Sequence, residues 1–159
     1  LAIISALLVL QSDITNEYAA KEALQKSQSR INSIATVHEM LYKTGDFSGI
    51  DSNTCIKTLF DRISELNEPD DRLTSHLEIA DVKMIIMHGA PFGLLLNELI
   101  TNSFMHAFKG KSECLIQTKI EQIENQVIFQ FLDKGVGLTS EEFESGTSDS
   151  GLGLTLIKL

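Results

Sequence analysis

Three residues at intervals of four, Glu98, Asn102 and His106, interrupt an otherwise apolar stretch over residues 92–108. On a helix this spacing lines them up as one narrow polar stripe among Leu, Ile and Phe. Such a stripe needs water, a ligand or a metal beside it. An Asn side-chain oxygen is a hard ligand suited to Mg²⁺ held mainly by nucleotide phosphates. A carboxylate one turn away can orient or deprotonate a metal-bound water. Asn97, five residues before Asn102, points roughly 140° away by the 3.6-residue period and is a poor partner for the same site. The plainer reading of Glu98 and Asn102 is a hydrogen bond that packs two helices together.

Two further groups could serve the same chemistry. Asp133, Gly135 and Gly137, written DKGVG, directly follow a strand-like run. An Asp there can accept a hydrogen bond from an exocyclic amine such as that of adenine, and the glycines let the backbone turn sharply beside a flat ring. Standing alone, the same residues describe an ordinary hairpin exit turn. Gly151 and Gly153, in GLGLTLIKL, open a final apolar helix. A glycine-rich loop at a helix start presents backbone N–H groups to phosphate.

The elements that must position these groups can be read from periodicity. Residues 1–10 are apolar on nearly every side, as in the middle of a helical bundle, and a polar break follows at residues 11–16. Ala20, Leu24, Ser27, Ile31, Ile34, His38 and Leu41 then form a helical seam that stops near Gly45. His38 on this seam reads as a structural histidine. Residues 50–66 repeat the helical period through Cys55, Ile56, Leu59, Phe60, Ile63 and Leu66, and residues 67–71 carry turn chemistry. A short strand is expected over residues 77–82, a long helix over 92–108 entered at Pro91, and a β-hairpin from 114–121 and 126–132. The acidic cluster Glu141, Glu142 and Glu144 reads as a solvated loop or a short helix's first turn.

Taken in this order, the three groups resemble the N, G1 and G2 boxes of the Bergerat ATPase superfamily, which includes sensor histidine kinases. The wider sequence resembles the kinases related to the HWE group, the second histidine-kinase dimerisation family. It does so through residues 1–11, Arg30 and Ile31, His38 and Glu39, Leu41 and Tyr42, and residues 93–108, written GLLLNELITNSFMHAF. The resemblance implies an α+β protein: a helical dimerisation and phosphotransfer hairpin over residues 1–66, then an α/β sandwich ATP-binding domain over residues 72–159. It also implies a protein histidine kinase that uses ATP and Mg²⁺. Asn102 then matches the Mg²⁺-binding residue, Asp133 the adenine-reading residue, and Gly135, Gly137, Gly151 and Gly153 the nucleotide-cradling glycines. His106 falls in the same cofactor-binding set, and Glu98 occupies the position that is a general base in gyrase-like relatives. The implied partners are a second copy of the chain, a response-regulator receiver domain and an upstream sensor domain.

Two departures stand out. None of His38, His76, His88 and His106 matches the family's phosphorylated histidine, which is expected just before residue 1. Met105 stands where many relatives have a phosphate-contacting Lys, a loss that Lys109 or Lys111 would have to cover. Both ends, at Leu1 and Leu159, look cut from a longer protein. The alternatives are a catalytically inactive dimerisation and docking module of the same fold, or a serine kinase of the anti-sigma-factor type.

Composition narrows the classes further. With 13 Lys and Arg against 22 Asp and Glu, the net charge is −9, and no basic cluster suits nucleic acid. The apolar opening run is well short of the roughly 20 residues a membrane helix needs. The two cysteines, Cys55 and Cys114, have no metal-binding or disulfide-frame spacing, which fits a reducing cytoplasm.

Overall fold

A computed structural model describes residues 1–44, 50–66, 73–84, 86–124 and 126–137. The architecture is α+β, as the sequence implies, with four helices and a mixed three-stranded sheet. Helices α1 (Ala2–Ile14) and α2 (Tyr18–Thr44) form an antiparallel hairpin joined at Thr15, Asn16 and Glu17, with Ser5 donating to Asn32 across it at 2.8 Å. The polar residues Gln11, Ser12 and Asp13 therefore continue α1 instead of breaking it.

A two-residue strand, β1 (Ile50–Asp51), leads into α3 (Ser52–Leu66). The Asp51 carboxylate accepts from the Thr54 N–H at 2.7 Å, satisfying a backbone donor of the first turn. Strand β2 (Leu73–Ile79) follows, then β3 (Lys83–Met84), which pairs with β1. Strand β2 begins four residues earlier than the apolar run at 77–82 suggests. It pairs in parallel with β4 (Cys114–Ile123), from Leu73 opposite Cys114 to Ile79 opposite Ile120. The ladder thus carries the polar residues Thr74, Ser75 and His76, which a hydropathy pattern does not register.

Strand β5 (Gln126–Asp133) closes the expected hairpin, with Glu124 at the turn in the left-handed region, φ 54°. On β4 the even-numbered residues Cys114, Ile116, Thr118 and Ile120 face inward, the period-2 alternation of a half-buried strand.

The core lies between this sheet and the helices. Cys55, Ile56, Leu59, Phe60 and Ile63 of α3 are buried with Leu96 and Ile100 of helix α4 (Ile86–Asn102), Val37 of α2, and Ile116 and Ile120 of β4. Phe92 of α4 meets Phe129 of β5 edge-to-face at 5.0 Å. Although α3 precedes the turn expected at residues 67–71, which lies outside the described residues, its apolar stripe shares one core with the sheet. Burial, with the nearby Asp51 charge as a lesser cause, pushes the Cys55 thiol up to about 11.

The structure corrects three sequence expectations. Helix α4 starts at Ile86, so Pro91 lies inside it and not at its start. The cost is limited, because Pro91 removes only one donor near the N-terminal end. His38 is exposed, whereas Ser33, Thr36 and Val37 are the buried residues of α2's inner face. Finally, α1 is not buried on most sides: Ile3 is 78% and Ile14 71% exposed.

Candidate functional site

Helix α4 ends in a π-helical turn, Ser103–Ala107, closed by the Phe108 N–H donating to the Ser103 carbonyl five residues back at 2.9 Å. The change from i+4 to i+5 bonding takes His106 out of the strict line with Glu98 and Asn102 that a continuous α-helix would give. Single π-turns inside helices recur at functional sites.

Against this turn packs the exit of β5. The Asp133 carboxylate accepts from the Gly135 N–H at 3.0 Å through one oxygen and from the Ser103 hydroxyl at 2.9 Å through the other. Ser103 Oγ also lies 3.0 Å from the Leu99 carbonyl oxygen. Its single proton goes to the charged carboxylate, the stronger acceptor. The Val136 N–H donates to the Ala107 carbonyl at 3.0 Å, and the Lys111 ammonium donates to the carbonyls of Lys134 and Gly135 at 3.1 and 3.0 Å. A Cβ at residue 135 would fall 2.2 Å from the Ala107 Cβ, so only glycine lets the loop lie this close. Gly137 has φ +75°, the left-handed conformation that glycine adopts without strain.

The Ser103 bond therefore ties Asp133 to the residue that follows Asn102 at the helix end. Asn102 and Asp133 are both half-buried. The donor set fits a Mg²⁺–adenine nucleotide. Asp133, fixed by two internal donors, keeps lone pairs for a further donor, since a carboxylate offers about four acceptor sites. Among the described residues no three His, Cys, Asp or Glu side chains converge on a metal. An amide ligand that shares Mg²⁺ with phosphate oxygens is a different kind of site. Met105 and His106 within the π-turn are half-buried; in the stretch leaving it Lys109 is exposed and Lys111 half-buried. Gly151 and Gly153, and the acidic cluster Glu141, Glu142 and Glu144, lie outside the described residues.

Glu98 is placed differently from its stripe neighbours. It is 5% exposed, and its two oxygens take a fork from Arg30 of α2, Nε to Oε1 at 2.6 Å and Nη2 to Oε2 at 2.9 Å. The carboxylate bonds hold the Arg30 guanidinium above its ordinary value. Asn97, buried beside it, accepts from the Ser29 hydroxyl at 2.7 Å and lies 3.1 Å from the Ser33 hydroxyl. Further toward the N-terminus of α2, Lys26 holds the Glu22 carboxyl below the usual range, with smaller help from the charges of His106 and Lys109. Helix α2 thus runs along α4 past its C-terminal end. Sequence reasoning missed Ser29, Arg30, Ser33 and Ser103 as participants. Ser29 and Ser33 sit four residues apart on one helical face, and Arg30 occurs in a family motif, but neither signal names a partner.

Residues 1–67 match the family model described as histidine kinase. A likeness of fold to solved structures extends beyond those residues. A histidine kinase domain from the Erythrobacter litoralis EL346 blue-light activated histidine kinase superposes with a TM-score of 0.71 at 13% identity, covering 99% of this chain and 85% of that one. A longer chain of the same Erythrobacter litoralis kinase gives 0.74 at 13% identity, with 99% of this chain and 48% of that one covered. At that identity the likeness establishes a shared fold. No curated protein matches the chain, and no helix among the described residues is long and apolar enough to cross a membrane.

Proposed function

We propose that this chain is the ATP-binding and hairpin region of a two-component sensor histidine kinase. The γ-phosphoryl group of ATP goes to a histidine outside these residues and then to a response-regulator aspartate. The observation that supports this reading is the grip of Ser103 and Gly135 on Asp133, which ties the exit of β5 to the helix end that carries Asn102. Bound Mg²⁺-ATP would supply the phosphoryl group and the cation that neutralises its charge.

The chain's residues supply position. Asn102 would offer its amide oxygen to the metal, Asp133 would accept from the exocyclic amine of the base, and Gly135 and Gly137 would shape the loop around the ring. The exposed apolar residues of α1, among them Ile3, Leu7 and Leu10, support pairing with a second copy, because a single neighbouring helix covers only one of its faces. A reducing, cytoplasmic setting suits the two buried free thiols.

One observation favours a second reading. With both Glu98 oxygens engaged by Arg30, a catalytically silent docking module of the same fold would look the same at this helix.

Calorimetric titration with Mg²⁺-ADP tests the assignment. The parent binds, and Asp133→Ala and Asn102→Ala each weaken binding by about 10-fold or more, the worth of one hydrogen bond to a charged group. If both variants bind like the parent, the nucleotide site lies elsewhere.

A further inference from the structure

The seam between α2 and α4 has two unlike halves. At one end Val37, fully buried, lies against Gly89 and Gly93, where an added Cβ would come within 2.7 and 3.0 Å of its methyl groups. Arg62 of α3 ties down the same end by donating to the Thr36 hydroxyl at 2.8 Å. At the other end the contact is polar: Ser29 and Ser33 on Asn97, Arg30 on Glu98. A tightly packed apolar contact opens reluctantly, whereas the polar contact, with Glu98 buried and Arg30 partly exposed, can give up the guanidinium when another cation takes its place on the carboxylate. Glu98, the carboxylate held at that end, stands one helical turn before Asn102.

We propose that the Arg30 end of α2 is a releasable cover on the nucleotide corner. While Arg30 holds Glu98 the carboxylate is withheld from a Mg²⁺-nucleotide at Asn102, and binding of that ligand and the Arg30–Glu98 pair oppose each other. The proposal rests on the nucleotide reading above and adds its control. Arg30 acts as a positioning residue through Glu98, and α2 pivots about the Val37 contact. Because coupling between two equilibria is reciprocal, whatever breaks the pair must tighten the ligand, and the ligand must loosen the pair. In the intact protein, any movement of the hairpin that withdraws the N-terminal half of α2 then becomes a signal delivered to Glu98.

Side-chain ¹⁵N NMR reads the pair directly without any turnover. Arg30 Nε–H, bonded to Glu98 at 2.6 Å, gives a slowly exchanging resonance, assigned by its loss in Arg30→Lys. Saturating Mg²⁺-ADP should remove its protection. Calorimetry supplies the reciprocal arm: Arg30→Gln and Arg30→Lys should bind Mg²⁺-ADP on the order of 5-fold or more tighter than the parent, the lower end of typical coupling. In a Glu98→Gln background, Arg30→Gln should add no further gain. The lysine variant keeps the charge but not the fork, so it guards against a variant that merely fails to fold.

Protection that persists in the saturated complex overturns the proposal, as do Arg30 variants with parental affinity. If those variants are indifferent while Asp133→Ala abolishes binding, the cover is wrong and the nucleotide site stands. If neither the parent nor Arg30→Gln binds Mg²⁺-ADP, both fall together.

Discussion

Helices α1 and α3 are both rich in Ile and Leu, yet they are buried in opposite ways. In α3 the apolar residues Cys55, Ile56, Leu59, Phe60 and Ile63 are at most 3% exposed, because they form one stripe that the sheet, α4 and Val37 cover together. In α1 they surround the helix, which packs on α2 and leaves Leu1, Ile3, Ile4, Leu7, Leu10 and Ile14 each at least half exposed. An amphipathic stripe can be satisfied within one chain. A helix that is apolar all round cannot, and its sequence therefore implies cover from beyond its neighbour.

The largest expected effect lies on the covered side of this contrast. Leu59→Ala should cost about 2–5 kcal/mol in denaturant unfolding, the range for a fully buried Leu that leaves a cavity. A loss well under 1 kcal/mol would mean that α3 is not part of the cooperative core. Next comes the start of the same helix. Asp51→Ala should cost about 1 kcal/mol as a lost cap.

That cap also has a predicted pH signature. The Thr54 hydrogen bonds hold the Asp51 carboxyl below its ordinary value. Its contribution is therefore present above the unfolded pKa and lost as pH falls through the folded one, so parent and variant should converge in acid. A difference that is constant down to low pH would show that the cap is not acting through its charge.

The smallest effect belongs to α1. In dilute solution Ile3→Glu should change stability by no more than about 0.5 kcal/mol, as for other exposed positions. If a second copy covers α1, its effect should grow with protein concentration, and sedimentation equilibrium should show a dimer that Ile3→Glu drives toward monomer. A parent that stays monomeric at high concentration would sharpen the contrast differently, by leaving the cover to another segment or partner.

The sequence disclosed some parts of this molecule and concealed others for physical reasons. The hairpin of β4 and β5 was readable because alternation of Ile, Val and Phe is a local signal. The helical placement of Glu98 and Asn102 was readable from spacing for the same reason. The grip of Arg30 on Glu98 was not, since the two residues are 68 positions apart and no periodicity relates them. Neither was the π-turn, which one extra residue per turn creates within an apolar run that reads as continuous helix. His38 was assigned to a seam because three-and-four spacing marks a helical face without saying whether the face is covered. Pro91 looked like a helix start because Pro favours that place, and the turn before it, at residues 86–90, carries little apolar periodicity.

In the proposed nucleotide site, Asp133 reads the exocyclic amine of adenine. The most direct measurement compares Mg²⁺-ATP with Mg²⁺-inosine triphosphate, which replaces that amine by a carbonyl, on the parent and on Asp133→Ala. The parent should prefer ATP by about 10-fold or more, because with inosine the Asp133 carboxylate would face a carbonyl oxygen in place of a donor, and the preference should disappear in the variant. Equal affinity of the parent for both nucleotides, or a preference that survives Asp133→Ala, would contradict that role of Asp133.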